Sequence, residues 1–396
     1  MKKLGLIPRI VIAIILGIIV GNYAPQALNR VFQTFTSIFG QFLNFSIPLI
    51  ILGFIVAGIA DLGTGAGKLL GVTVGLAYLF TLISGTYALV VGKLLLPNII
   101  PATANLQKAK KSLEPFFKME IPPIMGVTTA LIFAFVLGLG IAKIKNKTLK
   151  DMAIGFQEII KLVIEKVIIP LLPIHILGIF ANMAYTGQAS TVFSVFWKVF
   201  IIILCLHISM LIIQFIVACS CKKVNVFKSL KSQIKGYLTA LGTQSSAATI
   251  PVNLQCAEEI GTSKGIRDFV IPLCATCHLS GSTMTITTCA MSVMLLNGMP
   301  LNIGTILGFI AMLGVTMVAA PGVPGGAVMA ALGVLQSVLG FNDAMTGLMI
   351  ALYIAQDSFG TACNVSGDQA IAMIVDRLQE KWSKNKTTST TSEIPG

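Results

Sequence analysis

The chain has 396 residues, of which 55% are hydrophobic and only 11% are charged, and its formal net charge is +13. This composition excludes an ordinary soluble domain, because apolar stretches of about 20 residues, long enough to cross a bilayer, recur along the whole length. The basic charge does not indicate nucleic acid binding, since the lysines cluster in short connections between spans, as in cytoplasmic loops. We therefore predict a polytopic membrane protein embedded in the lipid bilayer, with both termini in the cytoplasm.

The first half of the chain predicts six apolar spans. Their predicted bounds are residues 5–23, 31–60, 69–96, 122–144, 151–183 and 194–218. The fifth begins with Glu158, Lys161 and Glu165, which suit an amphipathic segment lying in the membrane interface. Residues 99–122 form a lysine-rich polar loop that this topology places outside, against the positive-inside trend.

The second half changes from long spans to short apolar segments separated by polar or small residues. Residues 227–240 are only half a membrane long, and residues 243–249 lead into another short segment that ends at Ile260. Residues 266–277 and 283–296 then flank a polar interruption. We expect a re-entrant hairpin followed by a broken helix, because irregular backbone at membrane depth is tolerated only where it lines a cavity.

The same order of segments then repeats. Short segments at 301–318 and 328–339 flank a tip rich in proline and glycine, and a second interrupted helix carries residues 357–368. Two hairpins, each followed by a broken helix, are typical of the inverted repeats of a transporter, whose site lies where the broken elements meet.

The second broken helix carries Asp357, Thr361, Asn364 and Asp368 at spacings of four, three and four, which places them on one helical face. A carboxylate at membrane depth costs about 2.5–3.5 kcal/mol on insertion scales, so it is rarely present without a partner or a task. Two acids, an amide and a hydroxyl suit a cation and an ammonium group. The alternative is a polar stripe satisfied by neighbouring helices, although helix packing rarely needs two acids.

A free amino acid fits the chemistry of the two tips. Ser245 and Ser246 offer hydroxyls and backbone N–H groups near a helix start, which a carboxylate needs, and Asn364 could donate to the same carboxylate. An acidic substrate side chain would require an arginine. The candidate positions carry Gln244 and Gly360, so a small uncharged substrate is predicted.

Sodium is the predicted coupling ion, and no organic cofactor is expected. Asp368 and Asn364, with unwound carbonyls around Cys274 and His278, form the first predicted site. A second site would use Thr276 with the carbonyls of Met317, Val318 and Ala320, although an exposed or helix-bonded hydroxyl explains Thr276 equally well. His278 could instead couple a proton, but a neutral structural histidine is favoured.

Three motifs carry a resemblance to a known family. They are Thr-Gln-Ser-Ser-Ala-Ala-Thr-Ile-Pro at 243–251, Gly-Val-Pro-Gly at 322–325 and Asn-Val-Ser-Gly-Asp at 364–368. With them the chain resembles the dicarboxylate/amino acid:cation symporters, the bacterial relatives of glutamate transporters, and most of all their sodium:serine/threonine branch. The resemblance covers nearly the whole chain and implies the bacterial cytoplasmic (inner) membrane as the location.

The resemblance implies an all-α fold of eight transmembrane helices and two re-entrant hairpins, assembled as a homotrimer that works by an elevator movement. The implied scaffold is residues 1–75 and 99–190, the implied transport domain is 76–98 and 191–379, and 380–396 are an implied disordered cytoplasmic tail.

By the same resemblance, Asp357 binds the substrate amino group, Ser246 and Asn364 bind its carboxylate, and Asp368 binds sodium. Val323 of the second tip joins the substrate-binding set. Two departures from the family pattern matter: residues 278–282 read His-Leu-Ser-Gly-Ser instead of Asn-Met-Asp-Gly-Thr, and Gly360 replaces the arginine of glutamate carriers. They imply fewer sodium ions and no acidic substrate.

The sequence therefore predicts a sodium-coupled importer of small neutral amino acids of the serine, threonine or alanine type. A proton-coupled carrier, or a cysteine or dicarboxylate carrier on the same fold, is the alternative. An anion channel would need a continuous polar path, which the hairpin tips block. An enzyme built on Ser246 and His278 would lack the group that orients the histidine, so no enzymatic activity is predicted.

Overall fold

The computed structural model describes residues 6–62, 67–100, 113–144, 146–187, 189–318, 320 and 324–391, and every regular element in them is helical. The first half forms long helices, with a π-helical turn at Ile164–Ile168 between the fifth and the sixth. These helices are α1 (Leu6–Tyr23), α2 (Gln26–Leu62), α3 (Gly67–Ile99), α4 (Val127–Ile144), α5 (Lys147–Val163), α6 (Ile169–Tyr185) and α7 (Ala189–Lys222). The predicted all-helical class is thereby confirmed for the described residues.

The second half forms shorter helices, apart from a long last one. These are α8 (Val226–Thr243), α9 (Ser246–Ile260), α10 (Lys264–Cys277), α11 (Ser280–Leu296), α12 (Ile303–Val318), α13 (Gly326–Leu339), α14 (Asp343–Ile354) and α15 (Asp357–Thr391). Helix α15 continues into the predicted tail, of which 392–396 lie outside the described residues.

Five helical stretches of the described chain are long and apolar enough to cross a membrane. They are Gln26–Ala60, Leu69–Ile99, Lys147–Tyr185, Ser194–Lys222 and Lys264–Leu296, and α1 and α12 contain shorter apolar stretches. The length and apolar composition of these helices indicate a multi-pass membrane protein. The count of eight spans stays a prediction.

Both predicted helix interruptions are present. Helix α10 ends at Cys277 and α11 begins at Ser280, and α14 ends at Ile354 before α15 begins at Asp357. Helices α8 and α9 pack against each other and meet at Gln244, whose φ of 54° reverses the chain. Most of the second tip, residues 319 and 321–323, lies outside the described residues, and α12 packs along α13.

The helices pack in two groups. Helices α1, α2, α4, α5 and α6 form the first group, and α3 packs instead with α7, α10, α11, α12 and α15 of the second. Helix α11 is the centre of the second group, since its side chains from Ser280 to Met294 are all buried against α3, α7, α14 and α15. The groups meet where α13 lies on α2 and α14 lies on α6.

A small polar cluster joins the two groups. Asn44 of α2 donates a hydrogen bond to the Asp343 carboxylate at 2.9 Å and accepts one from the Gln336 side-chain amide at 2.8 Å. Since Gln336 and Asp343 lie just before and after the connection from α13 to α14, both contacts hold this corner of the second group against α2.

An ion pair ties three helix ends of the second group to the middle of α15. Lys222, the last residue of α7, pairs with Asp376 of α15, and both side chains are less than a tenth exposed. Lys222 also donates to the Gly261 carbonyl at the end of α9, while the Ser263 backbone before α10 donates to Asp376.

We predict that Lys222→Ala destabilises the protein by about 3 kcal/mol, because it leaves the Asp376 carboxylate buried without its cation. Thermal unfolding in detergent measures the change. Lys228→Ala is the control, since Lys228 is exposed on the same side of the molecule and has no ion-pair partner among the described residues. Equal melting temperatures for the two variants would contradict a stabilising role for the pair.

Candidate functional site

The break between α14 and α15 presents the Asp357 carboxylate at a helix start. Asp357 is the first residue of α15, and it is 4% exposed. Its Oδ2 accepts a hydrogen bond of 2.6 Å from the backbone N–H of Gly325, at the base of the second tip. The α15 dipole favours a negative charge at this position. The arrangement is able to bind a positively charged group that replaces the Gly325 N–H.

The Asn364 side chain closes the break between α10 and α11. Its amide oxygen accepts from the backbone N–H groups of Gly281 and Ser282, at 2.8 and 3.2 Å, and its NH₂ group donates to Ser282 Oγ at 2.9 Å. Ser282 Oγ also accepts from the Tyr353 hydroxyl at 2.9 Å. Asn364 thus satisfies two of the N–H groups that every helix start leaves without an intrahelical partner.

Asp368 lies against His278. The Nδ1 atom of His278 is 2.9 Å from Asp368 Oδ1, and both side chains are buried. Gly367 leaves the room for this contact, because a Cβ atom there would lie 2.4 Å from the imidazole ring. The histidine therefore occupies one side of the carboxylate that was predicted to bind sodium.

The first tip reaches α15 beside these residues. Ala240 of α8 packs against Ala362 and Val365 of α15. Ser245 caps α9 by accepting from the Ala248 N–H at 3.3 Å, and Ser246 is buried at the first position of α9. A helix start that follows a reversed chain is a favourable place for a carboxylate.

A cluster of buried amides fixes this hairpin to α15. The Asn253 side chain donates to the Val365 carbonyl at 3.0 Å, and its amide oxygen accepts from Gln233 and Gln369, both at 2.9 Å. The cluster connects α8, α9 and α15 just beside Asp368, so the first hairpin and the polar face form one unit.

The structure gives the following contacts for the residues predicted to bind the second sodium ion, and for Cys274, which was predicted to bind the first. The Thr276 hydroxyl is exposed and donates to the Leu273 carbonyl at 2.8 Å. The Cys274 carbonyl accepts the backbone N–H of His278, and the Met317 carbonyl accepts that of Ala320 at 3.3 Å. Val318 packs at the edge of the core between α3, α7 and α10.

Three further residues of the predicted substrate-binding set complete the account. Gly360 of α15 packs against the first turn of α11, since a Cβ atom added to Gly360 would lie 3.6 Å from the Ser282 N atom. Val323 lies outside the described residues. Thr361 is buried and lies one turn after Asp357 on α15.

Tyr353 and Ser282 are the site residues that the sequence analysis gave no role. Tyr353 stands four residues before Asp357, a spacing that places it on the same side when the helix direction is kept across the break. Ser282 closes the polar interruption before α11. A full list of polar residues at helical spacing, extended backward from Asp357, would have included Tyr353.

Comparison with known proteins identifies the family. The model of the sodium:dicarboxylate symporter family matches residues 6–378. The chain is 28% identical to the serine/threonine transporter SstT of Acinetobacter baylyi, over 96% of this chain and 98% of that protein. It is 26% identical to proteins of the same name from Acinetobacter baumannii, over 95% and 97%, and from Streptococcus agalactiae, over 95% and 96%.

We predict that Asn364→Ala destabilises the protein by about 1–3 kcal/mol, the usual cost of leaving a buried donor without its acceptor. Thermal unfolding in detergent measures the loss. Cys363→Ala is the matched control, because Cys363 is also buried on α15 and its truncation leaves the first turn of α11 intact. If both variants unfold at the same temperature, Asn364 is not needed to close the break.

Proposed function

Because the chain belongs to the sodium:dicarboxylate symporter family, we propose that it is a secondary active symporter that imports a small neutral amino acid together with sodium. Serine, threonine and alanine are the proposed substrates. The observation that carries this proposal is the buried polar face of α15, where Asp357 has only neutral hydrogen-bond partners among the described residues. A buried carboxylate with neutral donors is able to bind an ammonium group.

The proposed site uses both broken elements. Asp357 would accept from the substrate ammonium group, and the N–H groups and hydroxyls of Ser245 and Ser246 would donate to the substrate carboxylate. Asn364 would also donate to that carboxylate, since its NH₂ group has two N–H donors and Ser282 Oγ uses one of them. The small side chain of the substrate would be enclosed by four residues that carry no positive charge. They are Gln244, Val323, Gly360 and Thr361.

The proposed sodium site is centred on Asp368. A monovalent cation at membrane depth needs a negative group to offset its dehydration, since carbonyl dipoles compensate only in part. Asn364 and the carbonyls of Cys274 and His278 are the other proposed ligands. Thr276 with the carbonyls of Met317, Val318 and Ala320 would bind a second ion.

The packing supports an elevator movement. The two helix groups correspond to the proposed scaffold and transport domain, with α3 in the moving part, and the Asn44 cluster is a polar contact that the movement would break. We propose that α8–α9 and α12–α13 are re-entrant hairpins, that the protein is a homotrimer of the bacterial inner membrane, and that both termini are cytoplasmic.

Proton coupling is the second candidate, because His278 lies within hydrogen-bond distance of Asp368. A carrier of this kind would have the same fold and the same substrate site, and a proton would be co-transported in place of sodium. Uptake into proteoliposomes under an imposed sodium gradient or an imposed proton gradient separates the two.

We predict that serine, threonine and alanine compete for uptake at least about a hundredfold better than aspartate and glutamate. The physical reason is that a second carboxylate would be buried beside Gly360 without a cation, which costs several kcal/mol. Inhibition of labelled serine uptake into proteoliposomes by each amino acid measures the difference. Equal inhibition by aspartate would exclude a neutral amino acid carrier.

We predict that Asp368→Asn weakens sodium and substrate binding together, each at least about tenfold, because the sodium ion would lose the negative group that offsets its dehydration. Linkage requires each ligand to raise the affinity for the other by the same factor. Calorimetric titration of serine at several sodium concentrations and pH values measures both, with Asp268→Asn as the exposed control. Affinity that follows pH and ignores sodium would favour proton coupling.

A further inference from the structure

A groove of about 500 Å³ lies between α7 and α8, with α15 at its base. Its walls are apolar: Leu211 and Phe215 belong to α7, and Phe227, Ile234 and Tyr237 belong to α8. A groove of this size is in the range of sites that bind a ligand. Since both helices belong to a membrane protein, lipid is the partner that this surface meets.

The groove also has two polar features. Lys231 lines it from the exposed face of α8. At the base, Gln233 is 2% exposed and its amide oxygen has no hydrogen-bond partner among the described residues, and Ser366 lies beside it. A buried acceptor of this kind is costly unless a donor reaches it.

The charge of the rim is not compensated within the described part of the chain. Lys222 pairs with Asp376, and Lys235 pairs with Glu259, but Lys228 and Lys231 have no acidic partner there. Among the residues that the structure describes, no acidic side chain lines the groove. Basic pockets between transmembrane helices on the cytoplasmic side bind anionic lipid headgroups.

We propose that this groove binds an anionic phospholipid from the cytoplasmic leaflet, with an acyl chain between α7 and α8 and the phosphate at Lys231. The inference goes beyond the proposed transport activity and does not depend on which substrate or ion is carried.

The bound lipid lies close behind the candidate site. Ser366 stands between Asn364 and Asp368 on α15, and Gln233 donates to Asn253 of the amide cluster. A lipid in the groove therefore contacts the elements that attach the first hairpin to α15.

Fluorescence quenching by brominated lipids tests the proposal on the full chain. The two tryptophans, Trp197 and Trp382, are replaced by phenylalanine, and Tyr237→Trp supplies a reporter inside the groove. Ile234→Trp is a second reporter if the first variant does not fold. The probes are phosphatidylcholine vesicles that contain either dibrominated phosphatidylglycerol or dibrominated phosphatidylcholine at the same mole fraction.

The expected result is an apparent association about fivefold stronger for the phosphatidylglycerol probe, the factor that one lysine near an anionic headgroup contributes. Lys231→Gln should abolish this preference, and Lys235→Gln, one turn further along α8, should keep it. A reporter at Ile132 on the exposed face of α4 should be quenched equally by both lipids.

Equal quenching at position 237 by the two lipids, or a preference that persists in Lys231→Gln, would overturn the proposal. A groove covered by a second copy of the chain would leave the reporter unquenched by either lipid, which would also overturn it.

Discussion

The two hydrogen bonds from the backbone of α11 to the Asn364 side chain are the interaction on which the site depends. A helix that starts inside a membrane leaves several N–H groups without partners, and no water is available to satisfy them. Asn364 solves this for α11 from a different helix, at 2.8 and 3.2 Å. The break before α11 and the polar face of α15 consequently have to be adjacent.

The second group of helices is held together by polar contacts at both its centre and its end. The amides of Gln233, Asn253 and Gln369 join the first hairpin to α15, and the Lys222–Asp376 pair joins the end of α7 to α15. Between the two groups, apart from apolar packing, the described contacts include the small cluster around Asn44. A unit with satisfied internal polar groups and a mostly apolar boundary can shift as a body, because sliding along that boundary exposes few buried polar atoms.

The sequence predicted the helical class, both helix breaks and the shared face from Asp357 to Asp368, since each depends on local composition and on helical spacing. It could not predict that His278 would contact Asp368, or that the amide oxygen of Asn364 would be used by α11. Those partners lie 82 to 90 residues away, at the break between α10 and α11. Spacing within one helix carries no information about the rotation of its neighbour. Tyr353 was missed for a different reason. It stands four residues before Asp357, but it belongs to α14, on the other side of the break before α15.

Each acid of the polar face has a donor within the chain, and this bears on how the proposed carrier returns. After releasing its cargo, an elevator has to move through the membrane with Asp357 and Asp368 still buried. Burial of two carboxylates without partners would cost several kcal/mol each. The Gly325 N–H donates a hydrogen bond to Asp357, and the His278 imidazole lies against Asp368. These two protein groups would take the places of the substrate ammonium group and of sodium after release. In the proposed carrier, the affinity for ammonium and for sodium would then be a difference between two good contacts, which would allow release as well as binding.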